Sequence, residues 1–242
     1  QHDGVDRASV EYPDMVRQML IESVKAVLPE GLDVDKHFNP SYRPWQQRIA
    51  LVTDGDLFKA VSDGKASVVT DSIERFEADG IVVGDGSKIE ADVVITATGF
   101  DLSVMGNIPF TVDGEKVDFA DTVTWRGIMF TGVPNLAYVF GYFRSSWTLR
   151  ADLISELVCR TLTYMDEHGS KSVVPELPAE LRDVPLLDWV EADNFNPGYL
   201  RRSMHLMPRQ TGEDPWRLRH DYTNEKDILA GADLEDGTLI FK

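Results

Sequence analysis

Few residues in this sequence combine a reactive type with a suggestive setting, and Arg48 is the foremost of them. It closes a Pro-punctuated stretch, His37-Phe-Asn-Pro-Ser-Tyr-Arg-Pro-Trp-Gln-Gln-Arg48, and stands at the head of an apolar run. A guanidinium keeps its proton near neutral pH and donates two parallel hydrogen bonds, so an arginine fixed on a loop can hold an anion or a developing negative oxygen. From spacing alone a surface arginine in an ion pair is the commoner reading. His37 heads the same stretch, and a lone histidine is more often structural than catalytic. No second His or Cys stands at metal-ligand spacing, so no metal centre is expected.

Thr98 and Gly99 end the apolar run Ile95-Thr-Ala-Thr98. Glycine lacks a Cβ, so the backbone there can pass close to a ligand or another strand, although plain strand termination explains the pair as well. At Gly141-Tyr-Phe-Arg-Ser145-Ser146-Trp147 an apolar run gives way to a helical pattern. Such a helix N-terminus offers unpaired N–H groups and partial positive charge that suit an electron-rich group, and Ser145 or Ser146 could equally cap it as an ordinary core helix. Gly84-Asp-Gly86 imitates the opening of a dinucleotide loop, but Ile89 stands where the third glycine belongs. A strand pattern follows in place of a helix, so a hairpin turn is expected.

These residues need elements to hold them. Apolar residues at three- and four-residue steps from Met15 through Met19, Leu20, Val24 and Val27 predict an amphipathic helix, ended by Pro29 and Gly31. Short β-type runs follow at Ile49–Thr53, Ala66–Thr70, Ser72–Ala78, Gly80–Val83 and Val93–Ala97, with a short helix at Leu57–Val61. Leu136–Tyr142 reads as a buried strand leading into a long helix with Leu149, Leu153, Leu157 and Leu162 on one face, closed by Gly169. Beyond it the chain turns Pro-rich and predicts an extended arm with a short helical piece near Pro197–Leu206. The class is α/β.

Composition sets the outer bounds. The chain has 242 residues, 43% hydrophobic, with 41 acidic against 24 basic side chains and a formal net charge of −17. A field of that sign repels phosphate polymers, so nucleic acid is not an expected partner. The single cysteine, Cys159, cannot form an internal disulfide; it is expected buried as a free thiol in a reducing, cytoplasmic setting. No run approaches the ~18 consecutive apolar residues of a membrane span. The start at Gln1 resembles neither an initiator nor a leader, so the chain is expected to begin inside a longer product.

An apolar strand ending in Ala97-Thr98-Gly99-Phe100 resembles the segment by which class B flavoprotein monooxygenases, the Baeyer–Villiger and flavin-containing kind, return from the NADPH domain to the FAD domain. Pro44-Trp45-x-Gln47-Arg48 with Asp54-Gly55-Asp56-Leu57-Phe58 is similar to the ethionamide-activating type within that family. So are Val69–Phe76, Gly132–Tyr138, Ser146–Asp152, Asn196–Tyr199 and Pro215-Trp-Arg217, which together cover nearly the whole chain. The glycine loop for FAD, the family fingerprint and the NADPH glycine loop do not occur here, and the resemblance places them upstream.

The resemblance implies a two-dinucleotide-domain flavoprotein, with 1–99 the end of its NADPH domain and 100–242 the end of its FAD domain. It implies FAD and NADPH as cofactors, O2 as co-substrate, and a ketone converted to an ester or lactone, or a sulfide oxygenated. Arg48 would then stabilise reactive oxygen beside the flavin, with His37 near the nicotinamide or substrate. Thr98, Gly99, Ser145, Ser146 and Trp147 would lie against cofactor, with Phe143 and Trp147 on the substrate side. A heteroatom oxygenase that makes no esters, and a cofactor-free fragment, are the alternatives; an oligomer and a peripheral membrane location are both compatible with the sequence.

Overall fold

The computed structural model describes residues 8–242, which divide into two compact units, one running to Phe100 and the other from Asp101 to Lys242. Both mix helices with short antiparallel strands.

In the first unit, α1 (Pro13–Lys25) begins with proline, whose missing N–H is of no consequence in a first turn, and carries Asp14 beside the positive end of the helix. Of its two apolar stripes the β-branched one is buried, at Val16 and Ile21. Met15 and Met19, expected on the core face, are 60% and 52% exposed. Asp33 caps α2 (Val34–Phe38), accepting from the Lys36 N–H at 3.0 Å. α3 (Asp56–Ser62) completes a small core of Ile21, Leu28, Val34 and Val61, with Phe38 and Phe58 packed against it.

β1 (Ile73–Glu77), β2 (Gly80–Val83) and β3 (Lys88–Glu90) form an antiparallel meander in that order. Ile81 faces Ile89 in register, so Gly84-Asp85-Gly86 is a hairpin turn and no helix follows it. The expected strands at Ile49–Thr53, Ala66–Thr70 and Val93–Ala97 are absent: these runs carry β-type residues but find no ladder partner among the described residues.

The second unit is organised around α4 (Trp147–His168), which ends at Gly169 in the left-handed conformation that glycine adopts without strain. Its buried residues are Arg150, Ile154, Leu157, Thr161 and Met165. The expected leucine face is therefore rotated, and Leu162 is 54% exposed. Cys159 is exposed too, because it lies off that buried stripe.

The strands of this unit form antiparallel pairs: β4 (Thr111–Val112) with β5 (Glu115–Lys116), β6 (Thr124–Trp125) with β7 (Met129–Phe130), and β8 (Val173–Pro175) with β11 (Leu239–Phe241). β9 (Leu187–Asp188) pairs with β10 (Arg209–Gln210), and α5 (Gly198–Ser203) lies between them in sequence. Leu136–Tyr142 is not a strand, although Phe140 and Tyr142 are buried; its apolar side chains pack without a ladder.

The Pro-rich tail does more than cover the domain. Trp189, Phe195 and Leu200 build one core cluster with Phe140 and Phe143, and Trp216 enters another with Trp125, Ile154 and Leu157. Full burial of each of these large side chains contributes roughly 1.5–3 kcal/mol. The tail also forms α6 (Tyr222–Ala230), an element the sequence reading lacked, capped by Asp221.

α6 delivers Glu225 to Arg150, and both are sealed, with side chains 2% and 0% exposed. Arg150 Nε and Nη2 donate to the carboxylate at 2.9–3.2 Å; Nη1 donates to the Phe140 carbonyl at 2.8 Å and Nη2 to the Arg126 carbonyl at 2.7 Å. Tyr142 donates its hydroxyl to the same carboxylate at 2.5 Å. Burial, then that hydrogen bond, push the Tyr142 pKa far up, so the phenol keeps its proton. Removing one partner leaves a buried charge uncompensated, so Glu225→Ala should cost about 3–5 kcal/mol in denaturant unfolding. An Arg150→Met, Glu225→Leu double variant, which removes both charges, should recover most of that loss.

Candidate functional site

In the first unit the stretch from Asn39 to Arg48 is a shaped loop, hung on a cation of α1 that sequence reasoning passed over. Arg17 donates to Asn39 Oδ1 at 2.7 Å, to the Tyr42 carbonyl at 2.7 Å, and to the Pro40 carbonyl. One guanidinium thereby satisfies three acceptors within four residues, its fork matching carbonyls that no ladder takes up. The spacing of Pro40 and Pro44 was the available hint, since a Pro-broken backbone leaves carbonyls that need donors. Further along, Gln46 N–H donates to the Arg43 carbonyl at 3.1 Å, Pro44 is buried, and Trp45 takes a left-handed φ of 62°.

Arg48 leaves this loop exposed, at the start of the bare apolar run 49–53. His37, on α2, is half-buried and tied by Nδ1 to Thr70 Oγ1 at 2.8 Å. Thr98 and Gly99 are exposed, at the end of the bare run that starts at Val93.

In the second unit the junction before α4 is built closely. A Cβ on Gly141 would stand 2.2 Å from Trp147 Cγ, so only glycine lets the chain lie under that ring. Trp147 sits in the first turn of α4, half exposed, with its ring 5.0 Å from Phe140. Ser146 occupies the N-cap position but its side chain caps no backbone N–H; its hydroxyl pairs with Thr148 Oγ1 at 2.8 Å. The serine cap expected there is therefore not made, and Ser145 is half-buried beside it. Phe143 is a core residue stacked on Phe195 at 4.3 Å.

Also against Phe143 lies a residue that the sequence reading missed. The His220 ring is 4.0 Å from that of Phe143, and both of its nitrogens are shielded from solvent without a partner among the described residues. Burial first, then the positive charges of Arg150 and Arg144, hold its pKa well below the ordinary 6.5, so the imidazole is neutral. A neutral imidazole presents one donor and one acceptor. The start of α4 therefore has no side-chain cap and carries a half-exposed indole, while the imidazole nitrogens lie sealed behind Phe143. Nothing in the sequence around His220 marks it; only the folding of the tail brings it to Phe143.

No helix among the described residues is long and apolar enough to cross a membrane. No protein-family model matches the chain. Among curated proteins it is 43% identical, over 98% of its length, to the FAD-containing monooxygenase EthA of Mycobacterium tuberculosis, covering 48% of that protein. To the protein of that name from Mycolicibacterium smegmatis it is 45% identical over 96% of its length, covering 46%. To the probable FAD-binding monooxygenase AlmA of Acinetobacter baylyi it is 37% identical over 98%, covering 47%. The fold of the crystal structure of OTEMO with FAD and NADP matches 96% of the chain and 45% of that protein, with a TM-score of 0.65 at 17% identity.

Two measurements check the local geometry. Arg17→Ala should free the carbonyls of 39–42 and raise amide exchange across 39–47 by at least about tenfold, leaving α3 protected. For His220 the unfolded imidazole takes up a proton as pH falls through 6.5, whereas the folded one does so only at lower pH. Stability therefore declines on acidification below 6.5, by up to about 1.4 kcal/mol per pH unit from this group. His220→Phe should flatten that part of the pH–stability curve in chemical denaturation.

The chain spans about half the length of the curated relatives it matches, and over nearly all of its own length it is similar to FAD-containing monooxygenases.

Proposed function

We propose that this chain forms part of an FAD- and NADPH-dependent monooxygenase that uses O2 to insert oxygen into ketones, giving esters or lactones, with sulfide oxygenation as a second outcome. The sequence likeness to FAD-containing monooxygenases over 98% of the chain carries this reading. In it, residues 1–99 belong to the NADPH-binding domain and 100–242 to the FAD-binding domain.

Bound flavin would supply the oxygen-transfer chemistry, recharged by hydride from NADPH. The chain's own residues hold, orient and shield. Arg48, on a loop that Arg17 fixes, donates hydrogen bonds to negative oxygen at the reacting centre and cannot itself lose a proton there. The free N–H groups at the start of α4, with Ser145, Ser146 and Trp147, meet the electron-rich edge of the isoalloxazine, where reduction adds negative charge. Thr98 and Gly99 let backbone pass close to cofactor. His37, held by Thr70, stands on the nicotinamide or substrate side.

The test uses a complete protein of the relatives' length containing this chain. It should purify yellow, with oxidised-flavin absorbance, and oxidise NADPH. Arg48→Ala should leave flavin reduction by NADPH within a few-fold of the parent and lower ester formation by about 10²-fold or more, the scale of losing a preorganised donor. Unchanged ester yield in the variant would remove Arg48 from the mechanism. Assaying a ketone and a sulfide side by side separates ester formation from heteroatom oxygenation: product from the sulfide alone would favour the latter.

A further inference from the structure

Two arginines of the second unit are half-buried and unmatched. Arg126 stands in the turn between β6 and β7, and Arg217 lies in the tail between the buried Trp216 and Leu218. The two segments are in contact: the Arg126 N–H donates to the Pro215 carbonyl at 2.5 Å, and a Cβ on Gly127 would stand 2.3 Å from Leu218 Cδ1. The Nε of each guanidinium is shielded from solvent, and neither guanidinium hydrogen-bonds to or pairs with a described residue.

Arg126 is also held in an unfavourable backbone. Its φ is 53°, a left-handed value that glycine adopts freely and arginine does not. Its guanidinium lies 5.1 Å from the centre of the Trp125 ring, a fully buried indole, and burial holds its pKa below the ordinary value. Strain of this kind persists where the side chain has a task.

The chain has a formal net charge of −17, yet it leaves this cation without a carboxylate. Those that pull on Arg126 are Asp214, Asp236 and Glu225, and each is engaged elsewhere. Asp214 accepts twice from Arg219, Glu225 is closed in by Arg150 and Tyr142, and Asp236 accepts from the N–H and hydroxyl of Thr238 at 2.9 and 2.5 Å. Water can satisfy the free donors but not the charge. Two oxygens of one anion satisfy both, through charge-assisted bonds about twice as strong as neutral ones.

We infer that Arg126 and Arg217 form a site for one small oxyanion, a carboxylate or a phosphoryl group, where the 125–127 turn meets the tail. Arg219, already matched by Asp214, flanks it. The site asks nothing of the flavin chemistry proposed above.

The test is the melting of the complete protein of the relatives' length with inorganic phosphate or acetate replacing chloride at constant ionic strength. Phosphate should raise the midpoint by at least about 1 °C over chloride if the site takes a phosphoryl group, and acetate should do so if it takes a carboxylate, as a ligand of the folded state does. Arg126→Gly relieves the left-handed φ, so it should melt no lower than the parent in chloride and lose most of the shift. Dicarbonyl modification of arginines, mapped by peptide mass spectrometry, separates this site from any other that binds phosphate. The effective anion should slow modification of Arg126 and Arg217 several-fold and leave Arg182, 59% exposed, unchanged. Equal midpoints in all three anions would overturn the inference, and so would an Arg126→Gly protein that keeps the full shift or protection confined to other arginines.

Discussion

A guanidinium with no exposed surface is the constraint on which the second unit depends. Arg150 sits on the apolar stripe of α4 between the junction residues and Ile154, where an unpaired charge would cost several kcal/mol. The fold answers by converging on it. Glu225 comes from the far end of the sequence, the carbonyls of Arg126 and Phe140 come from loops, and Tyr142 shares the carboxylate. A pair of this kind adds little to net stability compared with apolar residues of the same volume, but it is intolerant of misplacement. It fixes the direction of α4, the path of 140–142 and the docking of α6 in one geometry, so the chain immediately before Trp147 has a single shape.

The same charge reaches the candidate cofactor edge. Burial first, and then Arg150 and Arg144, keep a proton off His220, so the imidazole against Phe143 is neutral and adds no further cation to the junction. Arg144 is itself held by Asn194, which ties the tail to the same junction. The first unit uses the opposite strategy. There a solvent-facing helix lends Arg17 to loop carbonyls, and the loop passes to Arg48 with its shape set by hydrogen bonds and two prolines.

Local periodicity made α1, α3, α4, the β1–β3 meander and the short helix near 198 legible in the sequence, and hairpin chemistry correctly disqualified Gly84-Asp-Gly86. Long-range terms were not legible. Arg150 could not be read as buried, because the carboxylate that permits it lies 75 residues away. The leucine face of α4 was misjudged for the same reason, since the stripe that wins contains Arg150 and Thr161. α6 was invisible because Tyr-Thr-Asn-Glu-Lys-Asp-Ile-Leu-Ala has too few apolar positions to show a period; its cap and Glu225 hold it. Arg48, Thr98 and Gly99 were nominated by likeness to a family, and the local physics adds only that each sits at an end of an unpaired apolar run.

That last placement carries a general consequence for how a site of this kind can exist. A catalytic group on a strand end inherits its precision from the ladder behind it, because a strand without partners has only soft backbone dihedrals to define its direction. Arg17 fixes the approach to Arg48 from one side, yet the run that follows Arg48 has almost no backbone bonds of its own, so half of the required constraint lies within the described residues and half does not. The junction at α4 differs, since Gly141, Trp147 and the Arg150 network already define it within the second unit. The two candidate regions therefore differ in autonomy: the junction before α4 is set by the second unit's own core, and the run after Arg48 has no ladder among the described residues.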